Sequence, residues 1–189
     1  LVHARVYEAF AARLVDAVTQ LRPGNGLAPE TTQGPLINDA ALAKVEAHVA
    51  DAQARGARLL TGGHRHGDHG RFYAPTVLGE VTTAMTIARD ETFGPVAPLF
   101  PFQTEGEAVQ MANDTEFGLA AYFYGRDLRR VWRVAEALEY GIVGVNTGLI
   151  STEVAPFGGI KSSGFGREGS KYGMDEYLQV KALHIGHVE

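Results

Sequence analysis

Apolar residues recur at helical spacing in two stretches near the start of the chain. The first stripe consists of Val6, Phe10, Leu14, Val18 and Leu21, and the second of Leu42, Val45, Val49 and Ala52. Pro23-Gly24 ends the first stretch, while Asn38 can cap the second and Gly56 can end it. The pattern therefore predicts two amphipathic helices, each burying one face.

Short apolar runs separated by turn residues predict strands along the rest of the chain. These runs cover residues 58–61, 72–81, 96–102, 119–124 and 142–145. Thr104 and Asp127 can each cap a helix between the later strands. Strands that alternate with helices and are apolar on both faces are typical of crossover units on a buried parallel sheet. We predict an α/β, three-layer domain with a largely parallel sheet.

Two features stand out toward the carboxyl end. Periodicity is lost between Gly148 and Gly173, where glycine is dense, and an ordered loop of this length is usually functional. Residues Asp175 to Lys181 then alternate in part, which predicts an edge strand. That strand could complete the same sheet, or it could pair with another subunit. We therefore divide the chain into a domain over 1–173 and an oligomerisation arm over 174–189.

Composition narrows the possible partners and compartments. The 189 residues are 45% hydrophobic and 21% charged, with a net charge of −5 and no basic block. We expect neither a nucleic-acid nor a membrane partner. No signal-peptide pattern or membrane-length apolar run is visible, so we expect a cytoplasmic protein. The absence of cysteine excludes disulfides and thiolate metal sites. The chain opens at Leu1 rather than at methionine, and we interpret this as truncation.

The segment Glu91-Thr92-Phe93-Gly94-Pro95 combines an acid and an aromatic residue just before a turn. In an extended segment the side chains of Glu91 and Phe93 would point to the same side. A carboxylate can accept hydrogen bonds from both hydroxyls of a ribose, and an aromatic ring can support a planar nicotinamide. The alternative is a capping or salt-bridged glutamate beside a core phenylalanine.

Three other patterns are better explained as structure. Gly164 to Gly169 spells G-x-G-x-x-G but lacks a preceding strand, and isoleucine replaces the glycine that a phosphate loop needs before Lys161. A histidine-rich turn contains His64, His66, Asp68 and His69, but it has no apolar shell to orient metal ligands, so we predict no metal site. We interpret Trp132 and the aromatic residues 122–124 as core or interface residues.

Four motifs together resemble the aldehyde dehydrogenases. They are Glu91 to Pro95, Asn113-Asp114-Thr115-Glu116-Phe117-Gly118-Leu119, Gly144-Val145-Asn146, and Pro156-Phe157-Gly158-Gly159-Ile160-Lys161-Ser162-Ser163-Gly164. The resemblance covers essentially the whole chain. Gly148 to Ser151 and Gly166 to Gly173 look most like succinate-semialdehyde dehydrogenases.

The resemblance implies roles for four residues. Glu91 would hold the nicotinamide ribose of NAD or NADP, and Phe93 would pack near the nicotinamide ring. Ser151 would donate a hydrogen bond to the distal carboxylate of a semialdehyde, and Phe157 would line the substrate tunnel. A charge-assisted hydrogen bond of this kind contributes roughly 1.5–3 kcal/mol.

The same resemblance places the catalytic groups outside this chain. In the family a cysteine thiolate attacks the aldehyde to give a thiohemiacetal, hydride passes to NAD(P), and the thioester is hydrolysed. The cysteine, the glutamate base and most of the nucleotide-binding domain would precede Leu1, so we expect no catalytic residue here and no activity from the chain alone. The full-length enzyme would be a homodimer or homotetramer. Two alternatives remain: a non-catalytic truncated paralogue that assembles with intact subunits, and a dehydrogenase for another substrate such as glutarate semialdehyde.

Overall fold

The computed structural model describes residues 1–67 and 70–187. Its four α-helices are α1 (Tyr7–Val18), α2 (Asp39–Ala54), α3 (Glu105–Asn113) and α4 (Leu128–Ala137). Its strands are β1 (Val2–His3), β2 (Arg58–Thr61), β3 (Thr76–Gly79), β4 (Val96–Pro98), β5 (Pro101–Phe102), β6 (Phe117–Gly118), β7 (Ala120–Phe123), β8 (Ile142–Val145) and β9 (Ile160–Lys161). Short 3-10 helices cover Ala4–Val6, Thr86–Ala88 and Tyr172–Tyr177.

The strands pair mainly in parallel, as predicted. The pairs β1–β5, β3–β4 and β7–β8 are parallel, whereas β2–β3 and β6–β9 are antiparallel. Helix α4 connects β7 to its parallel neighbour β8, which is the expected crossover arrangement. The α/β class with largely parallel pairing is therefore confirmed. Contacts divide the chain into a first unit, Leu1–Met111, and a second unit from Ala112 onward, and each is described by itself.

Strand β3 forms the centre of the first unit. All four of its residues are buried, and neighbouring side chains enter different clusters. Leu78 packs with the apolar face of α2, while Val77 packs with Tyr7 and Ala11 of α1. A strand covered by helices on both faces explains why its sequence is apolar without alternation.

Helix α2 is correctly predicted in both register and ends. The side chain of Asn38 accepts from Ala41 N–H at 2.8 Å, and Gly56 adopts a φ of 101° just beyond the helix. Val45, with the three other residues of the predicted stripe, is buried in the core. Local capping and hydrophobic spacing agree here, so the sequence alone defines the helix.

The prediction for α1 is partly wrong. The helix begins at Tyr7, and Val6 and Phe10 of the predicted stripe are 54% and 45% exposed. Its buried residues are instead Tyr7 and Ala11, which lie one position further along. The reason is tertiary: α1 packs on β3 in a cluster that also contains Val2 of β1, and pairing of β1 with β5 cannot be predicted from local spacing.

Burial differs sharply in the second unit. Among its residues up to 187, the only buried positions are Gly118, Gly144 and Gly159. Trp132 is 63% exposed and Tyr124 is 75% exposed, so neither belongs to a core of this unit, and the interface alternative stays a prediction for both. This unit is held together chiefly by backbone contacts and hydrogen bonds.

Residues 174–187 form no strand within the described chain, so the alternative in which they complete its own sheet is wrong, and pairing with another subunit stays a prediction. Tyr172–Tyr177 is a 3-10 helix, and residues 178–187 have no regular structure. A strand needs a neighbouring backbone to accept and donate its ladder hydrogen bonds, and none pairs with this stretch in the described part of the chain. Residues 188 and 189 of the predicted arm lie outside the described residues. No helix among the described residues is both long and apolar enough to span a bilayer.

Candidate functional site

The Glu91–Pro95 segment links the 3-10 helix Thr86–Ala88 to β4, and both of its candidate side chains reach the surface. Glu91 is exposed, and Phe93 is 78% exposed. The backbone is not extended as the sequence analysis assumed, because Phe93 has a left-handed φ of 49°. The argument that positions 91 and 93 share a face by alternation is therefore wrong. The exposure of Phe93 also excludes the alternative in which it is a core residue.

Three residues of helix α2 contact the Glu91–Pro95 segment. Lys44 Nζ donates to the Glu91 carbonyl oxygen at 2.8 Å, and His48 Nδ1 lies 3.1 Å from Thr92 Oγ1. Gly94 packs directly against Val45, where any Cβ would overlap the Cγ2 methyl group. Sequence reasoning missed Lys44 and His48, because a helix residue and a loop residue more than 40 positions apart give no local signal.

The chemistry of the segment fits a nicotinamide dinucleotide. Within the described part of the chain the Glu91 carboxylate makes no salt bridge or hydrogen bond, so both of its oxygens are available as acceptors. The adjacent Phe93 presents an apolar ring to solvent. An exposed carboxylate can accept hydrogen bonds from sugar hydroxyls, and an exposed aromatic ring can cover a planar heterocycle.

The second unit carries the two candidate substrate residues in the loop that follows β8. Ser151 is exposed, and its hydroxyl makes no hydrogen bond among the described residues. Phe157 is half-buried, and its backbone forms a two-way pair with Glu168: Phe157 N–H donates at 2.9 Å and Glu168 N–H donates back at 2.7 Å. The loop thus fixes Phe157 by its backbone and leaves Ser151 free to bind.

The glycine-rich part of this loop is an internal scaffold. Arg167 Nη1 donates to the carbonyl oxygens of Gly159 and Gly166, at 2.8 Å and 2.7 Å. Gly164 and Gly166 adopt positive φ values of 110° and 81°, which few other residues tolerate. The 3-10 helix Tyr172–Tyr177, rather than an α-helix, follows this G-x-G-x-x-G string. The geometry agrees with a structural role and not with a dinucleotide fingerprint.

Polar residues of the other motifs also bind backbone. Asn146 clamps Gly125, accepting from its N–H at 2.9 Å and donating to its carbonyl at 2.8 Å. Lys161 Nζ donates to the Asn113 carbonyl at 3.1 Å and forms an ion pair with Glu139 at 2.6 Å. The motifs that were informative for recognition therefore contain residues whose work in this unit is structural.

Only His64 and His66 of the histidine-rich turn are among the described residues. His64 Nδ1 lies 3.0 Å from the carbonyl oxygen of Gly62, so this imidazole has a backbone partner. Asp68 and His69 lie outside the described residues. Over residues 1–67 and 70–187, no group of three or more His, Cys, Asp or Glu side chains could hold a metal ion.

Comparison with known proteins identifies the family. The model of the aldehyde dehydrogenase family matches residues 1–183. The chain belongs to the aldehyde dehydrogenase family. It is 59% identical over 181 residues to the succinate-semialdehyde dehydrogenase [NADP(+)] GabD of Escherichia coli strain K12, covering 96% of this chain and 38% of that protein.

Two further relatives give the same picture. The chain is 58% identical over 183 residues to a glutarate-semialdehyde dehydrogenase of Pseudomonas aeruginosa. This match covers 97% of this chain and 38% of that protein. The crystal structure of succinate-semialdehyde dehydrogenase from Burkholderia pseudomallei matches with a TM-score of 0.90 and 63% identity, over 93% of this chain and 36% of that one. The chain therefore spans little more than a third of the length of these aldehyde dehydrogenases.

Proposed function

We propose that this chain is the carboxy-terminal part of an NAD(P)-dependent semialdehyde dehydrogenase, and that the full-length protein oxidises succinate semialdehyde to succinate. The observation that carries the proposal is the free, exposed hydroxyl of Ser151 in a loop whose neighbouring Phe157 is fixed by backbone pairing. The names of the E. coli and B. pseudomallei relatives support the same substrate.

The chain's own residues would contribute binding rather than bond-making. Glu91 would accept hydrogen bonds from the ribose next to the nicotinamide, and Phe93 would cover one side of the ring. NAD or NADP, when bound, supplies the hydride acceptor for aldehyde oxidation. Ser151 would donate to the distal carboxylate of the substrate, and Phe157 would limit the width of the tunnel. The nucleophilic cysteine of the proposal belongs to the remainder of the protein, since this chain has none.

Glutarate semialdehyde is the second candidate substrate. The identity to the P. aeruginosa glutarate-semialdehyde dehydrogenase is 58%, against 59% for the E. coli enzyme, so overall similarity does not separate the two. The substrates differ by one methylene, which is worth only about 1–3 kcal/mol of discrimination in a pocket. Whichever semialdehyde is preferred, a hydroxyl donor at Ser151 favours a substrate with a terminal carboxylate.

Steady-state kinetics of the full-length protein test the proposal. We expect kcat/KM for succinate semialdehyde to exceed that for butanal, which has the same chain length and no charge. Ser151→Ala should reduce this preference about 10- to 100-fold, because it removes a hydrogen bond to a charged group. The neighbouring exposed hydroxyl of Thr152 provides a matched control, and Thr152→Val should leave the preference unchanged.

Two results would contradict the proposal in different ways. Equal kcat/KM values for succinate semialdehyde and butanal would rule out a carboxylate-specific enzyme while leaving an aldehyde dehydrogenase. Failure of the full-length protein to reduce NAD or NADP with any aldehyde would favour the non-catalytic assembly module instead.

The arm over 174–189 is proposed to mediate homo-oligomerisation, and the protein is proposed to act in the cytoplasm. Support for the first comes from apolar side chains on the arm, where Tyr177, Val180 and Leu183 are 85%, 102% and 76% exposed. Exposed apolar side chains in a row mark surfaces that are covered by a partner. Light scattering of full-length Val180→Glu should show a smaller assembly than the wild type, and cell fractionation should recover the protein with cytoplasmic markers.

A further inference from the structure

Helix α2 contacts the Glu91–Pro95 segment at three neighbouring positions of one helix face. Lys44, Val45 and His48 lie within about one helical turn of each other and meet the backbone of Glu91, the Cα of Gly94 and the hydroxyl of Thr92. These contacts reach the backbone of Glu91 and the residues on both sides of Phe93, while the side chains of Glu91 and Phe93 stay exposed. The conformation of the segment is therefore set from the helix side.

His48 is the unusual member of this group. Its side chain is only 4% exposed and lies on the same face of α2 as Val45 and Val49, which form the apolar core. An imidazole in such surroundings needs a hydrogen-bond partner, and the hydroxyl of Thr92 provides one at 3.1 Å. Because a hydroxyl both donates and accepts, the bond forms with either neutral tautomer of the ring.

Thr92 is the residue between Glu91 and Phe93, so a constraint on Thr92 acts on both. Phe93 adopts a φ of 49°, a region that is unfavourable for a residue with a Cβ and persists only when surrounding contacts enforce it. The backbone of Gly94 is pressed against Val45 on the other side. The bond to His48 fixes the one polar side chain of the segment that points back into the unit.

We propose that His48 is a positioning residue for the dinucleotide: through its hydrogen bond to Thr92 it holds Glu91 and Phe93 in the conformation that binds the nicotinamide ribose. This inference rests on the proposed function, since it assumes that the Glu91–Pro95 segment binds NAD or NADP. His48 itself touches neither cofactor nor substrate in this account.

Two matched pairs of variants in the full-length protein test the inference. Thr92→Val removes the hydroxyl at nearly constant shape, whereas Thr92→Ser keeps it. His48→Leu removes the ring nitrogens, whereas His48→Asn keeps a polar atom bonded to Cγ, as Nδ1 is in histidine. We expect Thr92→Val and His48→Leu each to raise KM for the dinucleotide about 3- to 10-fold, with KM for the aldehyde unchanged. Thr92→Ser and His48→Asn should retain most of the affinity for the dinucleotide.

The double variant and a distant control make the test specific. Thr92→Val combined with His48→Leu should raise KM for the dinucleotide no further than either single variant, because both remove the same bond. Thr19→Val removes a comparable hydroxyl, which donates to the Asp16 carbonyl at 2.9 Å near the end of α1, and should leave this KM unchanged.

The possible failures are distinguishable. If the wild type oxidises aldehydes and Thr92→Val leaves the KM for the dinucleotide unchanged, the inference is wrong and the proposed function stands. If both KM values rise together with a lower melting temperature, His48 is merely structural and the inference is again wrong. If the wild type neither turns over nor binds NADH or NADPH in a fluorescence titration, both the inference and the proposed function are overturned.

Discussion

Replacing Tyr7 with phenylalanine tests how the first unit is held together at the amino end of α1. The Tyr7 hydroxyl, on a side chain 4% exposed, donates to the Leu99 carbonyl at 3.1 Å and accepts from Glu80 N–H at 2.7 Å. Burial raises the pKa of this phenol, so the group stays protonated and remains a donor at neutral pH. Phenylalanine keeps the ring and removes both bonds.

The expected loss of stability depends on which hydrogen bonds the two backbone partners of Tyr7 retain in the variant. The Leu99 carbonyl still accepts from Val81 N–H at 3.1 Å, so losing its bond to Tyr7 costs only about 0.5–1 kcal/mol of stability. No other acceptor binds the Glu80 N–H among the described residues, and an orphaned donor of this kind costs about 1–3 kcal/mol. We therefore expect Tyr7→Phe to destabilise the unit by about 1.5–4 kcal/mol, the sum of the two losses.

Hydrogen–deuterium exchange of the full-length protein, read by mass spectrometry, measures this locally. A change of about 1.5–4 kcal/mol corresponds to exchange that is roughly 10- to 700-fold faster in peptides covering β3 and residues 80–81. Tyr73→Phe is the matched control, because Tyr73 is 2% exposed and its hydroxyl makes no hydrogen bond within the described residues. Equal protection in the two variants would refute the reasoning.

Two further predictions concern charge and close packing. Thr86 N–H and then Arg55 lower the pKa of Asp51 to about 2 from 3.8, so its contribution to stability is complete above about pH 4 and is lost as the pH falls toward 2. Melting temperatures of the wild type and Asp51→Asn should accordingly converge between pH 4 and pH 2, and a constant difference would contradict the assignment. Gly94→Ala should destabilise the full-length protein by about 1–3 kcal/mol through overlap with Val45. Combined with Val45→Ala, Gly94→Ala should cost less stability in thermal unfolding than the sum of the two single variants, because the smaller side chain relieves the overlap. Strictly additive losses would show that the two residues do not touch.

Elements with local start and stop signals could be predicted from the sequence. Helix α2 has its cap, its apolar spacing and its terminating glycine within the stretch itself, and all three agree with the structure. The buried face of α1 could not be predicted, because β1 and β3 decide whether Tyr7 or Phe10 points inward. Alternation over Asp175–Lys181 did not produce a strand within this chain, because a strand also needs a neighbouring strand to pair with, and pairing with another subunit stays a prediction.

In the candidate site, too, the sequence identified residues by their chemistry but did not reveal the tertiary contacts that position them. Glu91 and Phe93 could be singled out because they lie two positions apart in a short segment and are chemically distinctive, and the structure exposes both. Their backbone conformation could not be derived, since the left-handed turn at Phe93 depends on how the segment fits against α2. His48 looked like one more residue of an amphipathic helix, and only tertiary contact shows that it bonds to Thr92.

Every buried position in the described part of the second unit, residues 112–187, is a glycine, and this has a consequence for how the region tolerates mutation. Backbone lies against backbone there: a Cβ on Gly141 would overlap the Gly158 carbonyl oxygen, and one on Gly118 would lie 2.8 Å from that of Glu139. Truncating its aliphatic side chains should be tolerated well, whereas adding a single methyl group at these glycines should not. A mutational scan that scores folding would then find these glycines to be the least replaceable residues of the unit, whereas a scan that scores activity would also detect Phe157 and the apolar residues of the arm.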